Sequence, residues 1–445
     1  MGLAEVGKRL VLGQKLRSTQ LTETLLPKRI ALPVFASDAL SSVAYAPDEI
    51  FLTLSMGGLS AYSFNWKIGI AVALVMLTVV ASYRQNVRAY PSGGGDYEVA
   101  TVNLGRNAGV TVASALLVDY VLTVAVSISS GVQNATSAIP LLDGHEAFAA
   151  SGLVLLLMAA NLRGIKESGT AFAIPTYLFM ASIFAMAIWG YVRYASGGLP
   201  EVESAKYEIA PEAAYTGSVS ALAMTFLVAR AFSSGAAALT GVEAISNGVP
   251  AFRKPKSKNA ANTLLLLGAI SITMLMSIVV LADVTDVRYA EDPASQLLLN
   301  GEPVGAGYEQ HTIIGQLAGA IFNNAPLLFY FTIATTGVIL VLAANTAFNG
   351  FPVLGSILAR DGYLPRQLDT RGDRLAFSNG IVLLAIGAVV LILAFDAEVT
   401  KLIQLYIVGV FVSFNLSQLG MIKHWTRHLR TESDPAERRR MHRSR

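Results

Sequence analysis

The chain has 445 residues, of which 53% are hydrophobic and only 14% charged, where a soluble domain carries roughly 25% charged residues. With a mean hydropathy of +0.53, this composition indicates an integral membrane protein rather than a soluble one. There is no cysteine, so disulfides, thiolate catalysis and zinc–cysteine sites are excluded. The net charge of +3 calls for no nucleic-acid partner, and the five histidines are read as scattered, without a metal-binding pair.

Residues 1–29 hold six basic residues and no apolar core, so they read as a cytoplasmic arm, not a cleaved signal. Leu3, Val6, Leu10 and Val11 beside Lys8, Arg9 and Lys15 suit a helix lying along the inner membrane surface; a disordered basic tail is the competing reading. About 20 apolar residues span the hydrocarbon core. Ten such segments follow, near 30–56, 66–88, 108–132, 147–163, 168–192, 218–249, 261–282, 323–359, 378–395 and 400–422. Segments 4 and 9 are short; segments 1, 6 and 8 are long. Of the 33 lysines and arginines, 27 fall in the arm, in alternate loops and from Lys423 onward. The positive-inside rule then predicts an even number of spans with both termini in the cytoplasm of a multi-pass protein of the cell membrane. The opposite connections, 194–217 and 283–322, are expected to be surface caps. Residues 423–445 are expected to form a basic cytoplasmic tail.

Ten spans divide into five (30–217) and five (218–422). Because five is odd, the second half enters the bilayer inverted. In inverted repeats the binding site lies where helices are interrupted at matching positions. "SDALSS" (37–42) interrupts segment 1 and "SSGAAALTG" (233–241) interrupts segment 6. Each opens its half, so a broken helix is expected at both places, with a plain kink near Ser37 or Asp38 as the alternative.

Three carboxylates fall inside spans, away from their ends: Asp38, Asp119 and Glu243. A charge at the bilayer centre costs about 2.5–3.5 kcal/mol on insertion scales, which makes each a functional candidate. Asp119, Thr123 and Ser127 stand at i, i+4, i+8 and form one oxygen-bearing stripe. Thr240 is read as one helical turn from Glu243, on the same face, and Glu243 as a proton-exchanging group; an ion pair of Glu243 with Arg230 is the rival. An all-oxygen set suits a hard or alkali cation, and an aspartate at the first interruption opposes a substrate carrying a carboxylate. "PSGGGDYE" (91–98) lacks the GK[ST] ending of a phosphate loop and reads as a flexible cytoplasmic hinge. In "ARDGYLP" (359–365), an inner-gate latch and plain positive-inside charge are equal readings.

Long stretches in one order, among them residues 35–45, "YRQNVRAYPSGGGDY" (83–97), "LLVDYVLTVAVSISSG" (116–131), "NLRGIKES" (161–168), "AFSSGAAALTGVEAISNGVPAF" (231–252), "LVLAANTAFNGFP" (340–352), residues 358–381 and "LYIVGVFVSFNLSQLGM" (405–421), carry a resemblance. The chain resembles the KUP potassium-uptake family, in its KimA-like branch, within the amino acid–polyamine–organocation superfamily. The resemblance implies an all-α transmembrane fold, a LeuT-type 5+5 inverted repeat with helices 1 and 6 broken. It implies co-transport of potassium with a proton, with no cofactor beyond the transported ions. It assigns a potassium site to Asp38, Tyr45, Asp119, Thr123, Ser127 and Thr240, with the two aspartates as the charged ligands. It assigns proton coupling to Glu243, and Tyr120 and Tyr406 to the pathway. Such importers continue into two more helices and a cytoplasmic domain tied to a homodimer, and the expectation is that this chain lacks both. The alternative on the same fold is a proton-coupled amino-acid or polyamine permease. A channel lacks a selectivity-loop repeat here, and a membrane enzyme lacks a nucleophile–base pair or HExxH motif.

Overall fold

The computed structural model describes residues 25–93, 95–163, 169–216, 220–305, 307–370 and 377–444. The amphipathic reading of Leu3 to Lys15 lies outside the described residues.

The first segment is two helices. Helix α1 runs Lys28–Ser41, a 3-10 turn covers Ser42–Ala44, and α2 runs Ala46–Ser55. The local sequence explains the restart. Pro47 sits in the first turn of α2, where a missing N–H costs nothing, and Asp48 and Glu49 follow it at the positive end of the helix dipole. Next come α3 (Asn65–Ala89), α4 (Gly95–Leu104), α5 (Arg106–Thr136), α6 (Glu146–Leu162) and α7 (Gly169–Ala195). The sixth segment is again divided: α8 (Ala221–Gly235), a 3-10 turn Ala236–Leu239, then α9 (Glu243–Asn247). The chain continues through α10 (Lys256–Val284), α11 (Pro293–Gln296), α12 (Ile313–Ile321), α13 (Pro326–Arg360), α14 (Ser378–Ala394), α15 (Val399–Thr431) and α16 (Pro435–Ser444).

Among the described residues, eight helical stretches are long and apolar enough to cross a membrane. The two short segments are α6 and α14, each 17 residues. At 1.5 Å per residue each reaches about 25 Å, a little under the hydrocarbon thickness. Leu222, Phe226, Phe148 and Leu327 stand exposed on the outer faces, while Asp38, Asp119, Ser127 and Glu243 are buried. Apolar outside and polar inside is the distribution a lipid-embedded bundle requires. The most extensive helix contacts are α13 with α5 and α10 with α3; α14 with α6 and α2 with α8 are also substantial.

The two long connections meet each other. Strand β1 (Glu208–Ile209) pairs antiparallel with β2 (Leu297–Leu299), which pairs with β3 (Glu302–Pro303). Tyr62 Oη donates to the Tyr289 carbonyl at 2.8 Å, which fastens this cap to the start of α3. At another boundary, Leu26 N–H donates to the Ala251 carbonyl (2.8 Å) and Arg253 N–H to the Leu26 carbonyl (3.1 Å). Phe35 stacks on Phe252 with centroids 5.5 Å apart, so the start of α1 is stitched to the segment after α9.

The hinge reading of residues 91–98 is corrected. Gly95 opens α4, and Asp96 is almost fully buried. The glycines there serve close packing: a Cβ on Gly95 would sit 1.8 Å from Asn247 Oδ1, and one on Gly93 would sit 2.9 Å from Pro250. Both glycines also hold positive φ, which favours glycine. Residues 359–365 do make a link: Asp361 accepts the Tyr97 hydroxyl at 2.7 Å, and Arg106 lies over the Tyr363 ring.

Candidate functional site

Where α1 stops, its serines take over. The Asp38 carbonyl accepts Ser41 Oγ at 2.7 Å and Ser42 Oγ at 3.1 Å. Ser42 Oγ also meets Tyr45 Oη at 2.9 Å and Thr240 Oγ1 at 2.7 Å, and Thr240 donates to the Ala237 carbonyl at 2.9 Å. The interruptions of segments 1 and 6 are thus joined by one hydroxyl cluster, with Ser42 as its hub. Ser42 is absent from the residues singled out in the sequence. Its signal was the doubled serine directly after a helix end, where hydroxyls satisfy carbonyls the helix leaves open.

Thr240 is extended (φ −66°, ψ 151°) and Gly241 is left-handed (φ +80°). The reading of Thr240 and Glu243 as one helical face is therefore corrected, since no continuous turn joins them. Gly241 lets the backbones touch: a Cβ there would lie 2.6 Å from Ala39 N and 2.9 Å from the Asp38 carboxylate. Gly241→Ala is expected to lower stability by about 1–3 kcal/mol through strain and clash together. Thermal melting of the purified protein checks this; an unchanged Tm would refute the close approach.

Asp119, Thr123 and Ser127 are all buried on α5. Thr123 Oγ1 and Tyr406 Oη of α15 are 3.0 Å apart. Asp119 Oδ1 and Ser127 Oγ have no hydrogen-bond partner, nor does Asp38 Oδ1. The Tyr120 ring packs on Gly350 of α13, where a Cβ would come within 2.6 Å of it. Glu243 begins α9. The backbone N–H groups of Gly241 and of Glu243 itself lie against its carboxylate, while Oε2 has no partner. Asp38, Asp119 and Glu243 are within electrostatic range of one another. Among the described residues, none of the three is in an ion pair. The Arg230–Glu243 pair is corrected: the Arg230 guanidinium lies on Met56 Sδ at 3.2 Å, in reach of Glu49 instead.

Two groups of acids were missed. Asp48 and Glu49 stand near the end of segment 1, where a charge looks inexpensive, yet both are buried. Asp48 Oδ1 accepts the Ile313 N–H (3.0 Å) at the start of α12, and Glu49 Oε1 accepts the Thr400 hydroxyl (2.7 Å) of α15. The helix-start signature Pro47-Asp48-Glu49 was the available signal. Asp96 Oδ2 accepts Tyr83 Oη (2.6 Å) and Ser413 Oγ (2.9 Å). Burial pushes its carboxyl above the usual range, with the neighbouring hydroxyls of Tyr83, Ser417 and Ser413 opposing.

His424 and His428 do form an i, i+4 pair on α15, with ring centroids 4.5 Å apart. The expectation of histidines without such a spacing is therefore corrected. The central oxygens form a different set: three carboxylates, each with an unpartnered oxygen, the unpartnered Ser127 hydroxyl, and hydroxyls already bonded to each other. Acceptors in excess of donors, with no cationic side chain paired to them among the described residues, suit a hard or alkali cation.

Among the described residues, eight membrane-capable helices packed around buried acids make a multi-pass membrane protein. The amino acid permease profile fits residues 34–436, and the chain belongs to that family. It is 41% identical over 419 residues to the potassium transporter KimA of Bacillus subtilis (strain 168), covering 94% of this chain and 64% of that protein. It is 26% identical over 374 residues to the branched-chain amino acid permease BcaP of Lactococcus lactis subsp. cremoris, covering 78% of this chain and 72% of that protein. The chain thus spans a little under two thirds of the first relative's length.

Proposed function

We propose that the chain is a secondary active potassium importer that moves potassium with a proton by alternating access, and that it transports rather than transforms its substrate. The observation that carries this is the buried pair Asp38 and Asp119, each with a free carboxylate oxygen and, among the described residues, neither matched by a basic side chain. Tyr45, Thr123, Ser127 and Thr240 supply neutral oxygens around them, Tyr120 and Tyr406 border the path, and Glu243 carries the proton. Such a set takes the place of a cation's hydration shell. It repels a carboxylate.

The 5+5 inverted repeat, 30–217 and 218–422, is part of the proposal. Contacts between segments 1 and 6, 2 and 7, 3 and 8, and 4 and 9 support this reading. Segments 1 and 6 each give way to a 3-10 turn at corresponding places. The basic residues assign both termini to the cytoplasm, residues 1–29 to an arm and 423–445 to a tail. A homodimer is the proposed assembly in the bilayer.

The similarity to a branched-chain amino acid permease keeps a permease of the same fold as the second reading. The test is growth of a potassium-uptake-deficient bacterium on low potassium with this chain expressed, beside rubidium and amino-acid uptake by the same cells. Rescue with rubidium uptake is expected. Amino-acid uptake without rescue would overturn the proposal.

A further inference from the structure

Asp96 stands apart from the hydroxyl cluster yet is tied to it twice. The first tie is electrostatic. Asp96 is within range of both Glu243 and Asp119, and Tyr83, whose hydroxyl donates to Asp96 Oδ2 at 2.6 Å, senses Asp96, Glu243 and Asp119 together. The second tie is mechanical. Glu243 and Asn247 are one turn apart on α9, and the Asn247 side chain rests on Gly95, the residue before Asp96. A shift of α9 therefore moves Glu243 and presses on the backbone that carries Asp96.

The titratable groups facing Asp96 are Tyr83 on α3, Asp119 on α5 and Glu243 on α9; α15 contributes the hydroxyls of Ser413 and Ser417. Asp96 is 1% exposed, and its Oδ1 has no partner. Asn86, whose side-chain amide donates to Ser417 Oγ at 3.3 Å, also has an unpartnered side-chain Oδ1. The cluster therefore offers buried acceptors without enough hydrogens to fill them. A structural tie of α4 to α3 and α15 would need only the bonds from Tyr83 and Ser413 at Oδ2. It leaves the second oxygen, desolvated and empty, without a purpose.

We infer that Asp96 is the group that takes the proton released by Glu243, through Tyr83, and passes it on toward the aqueous face. The inference rests on the proton-coupling role proposed for Glu243. In the transfer, the Tyr83 O–H bond breaks as its proton goes to Asp96 Oδ2, and the Tyr83 oxygen takes the proton arriving from Glu243 by way of water. Tyr83 is regenerated, Glu243 is left as a carboxylate, and Asp96 becomes the acid, so charge and protons balance. Asp96 is a positioning and relay group, since it touches no oxygen of the cation set.

The test uses the full chain in proteoliposomes at clamped membrane potential. Two quantities are read: rubidium–rubidium exchange at equal pH, which moves no net proton, and the acceleration of uptake by an inward pH step. In Asp96→Asn the acceleration is expected to fall about tenfold or more beyond any change in exchange, the scale of a lost proton-transfer group. Asp96→Glu is expected to restore it, and Tyr83→Phe to lose part of it. A wild-type acceleration in Asp96→Asn, with Glu243→Gln having lost it, overturns the relay and leaves Glu243 in place. Loss of exchange in step with acceleration, in an Asp96→Asn protein that melts at the wild-type temperature, also overturns it. A wild-type acceleration in Glu243→Gln removes the donor instead, and marks the failure as that of the Glu243 reading.

Discussion

Asp38→Asn and Asp119→Asn are each expected to reduce rubidium uptake at low ion concentration by about two orders of magnitude while leaving membrane insertion and melting near wild type. A unit charge about 4 Å from a cation, at an effective dielectric near 20, contributes about 4 kcal/mol. Asparagine keeps an oxygen dipole and recovers part of this. The remaining loss, about 2.7 kcal/mol, is a hundredfold in affinity. Both carboxylates have a free oxygen now, so the substitution breaks no hydrogen bond at that atom, and folding is spared. The neutral ligands follow in order. Ser127→Ala removes an unpartnered hydroxyl and should weaken uptake severalfold. Thr123→Val breaks the contact with Tyr406, a neutral bond of about 1 kcal/mol, and stays below tenfold. Uptake at the wild-type rate in both aspartate variants would remove the pair from the cation site.

Hydropathy made the membrane segments legible because burying or lipid-facing 20 apolar residues leaves a mark no soluble domain needs. It also marked segments 4 and 9 as short, and α6 and α14 are 17 residues each. The three inner acids were legible for the same reason: each is an expensive exception in an apolar run. What escaped was everything fixed by partners far along the chain. Ser42 matters because Thr240, 198 residues away, meets it at 2.7 Å, and nothing local announces that. Asp96 was hidden by its setting, since Pro91 and three glycines mark a turn in most sequences. Here the glycines serve contact with Asn247 and Pro250. The Thr240–Glu243 face failed because a spacing of three was counted as helical across a glycine at φ +80°. A Thr-Gly pair at a helix interruption was the warning.

Glu243→Gln is expected to keep rubidium binding and exchange but to lose the acceleration of uptake by an inward proton gradient. The argument starts from Gly241. Its bare backbone sits against the Asp38 carboxylate on one side, and its N–H lies against the Glu243 carboxylate on the other. Glu243 is thus joined to the cation set through Asp38 rather than through Thr240. In the proposed mechanism, a cation held by Asp38 and Asp119 would repel a proton on Glu243, so filling the site would favour proton loss. By reciprocity, a proton on Glu243 weakens the cation by the same factor. For co-transport, the proposed cycle lets this proton loss occur in the inward-facing state that also releases the cation, and a group with equal affinity in both states would couple nothing. Glutamine fixes the neutral form. It leaves Asp38, Asp119 and the hydroxyl cluster intact, so exchange, which needs no proton to move, continues. The measurement is rubidium uptake into proteoliposomes at fixed membrane potential, with and without an inward pH step. The ratio of the two rates should fall to about one in the variant. If Glu243→Gln answers the pH step as the wild type does, the proton travels on another carboxyl. Asp119, with its free oxygen in the same electrostatic set, is the one to substitute next.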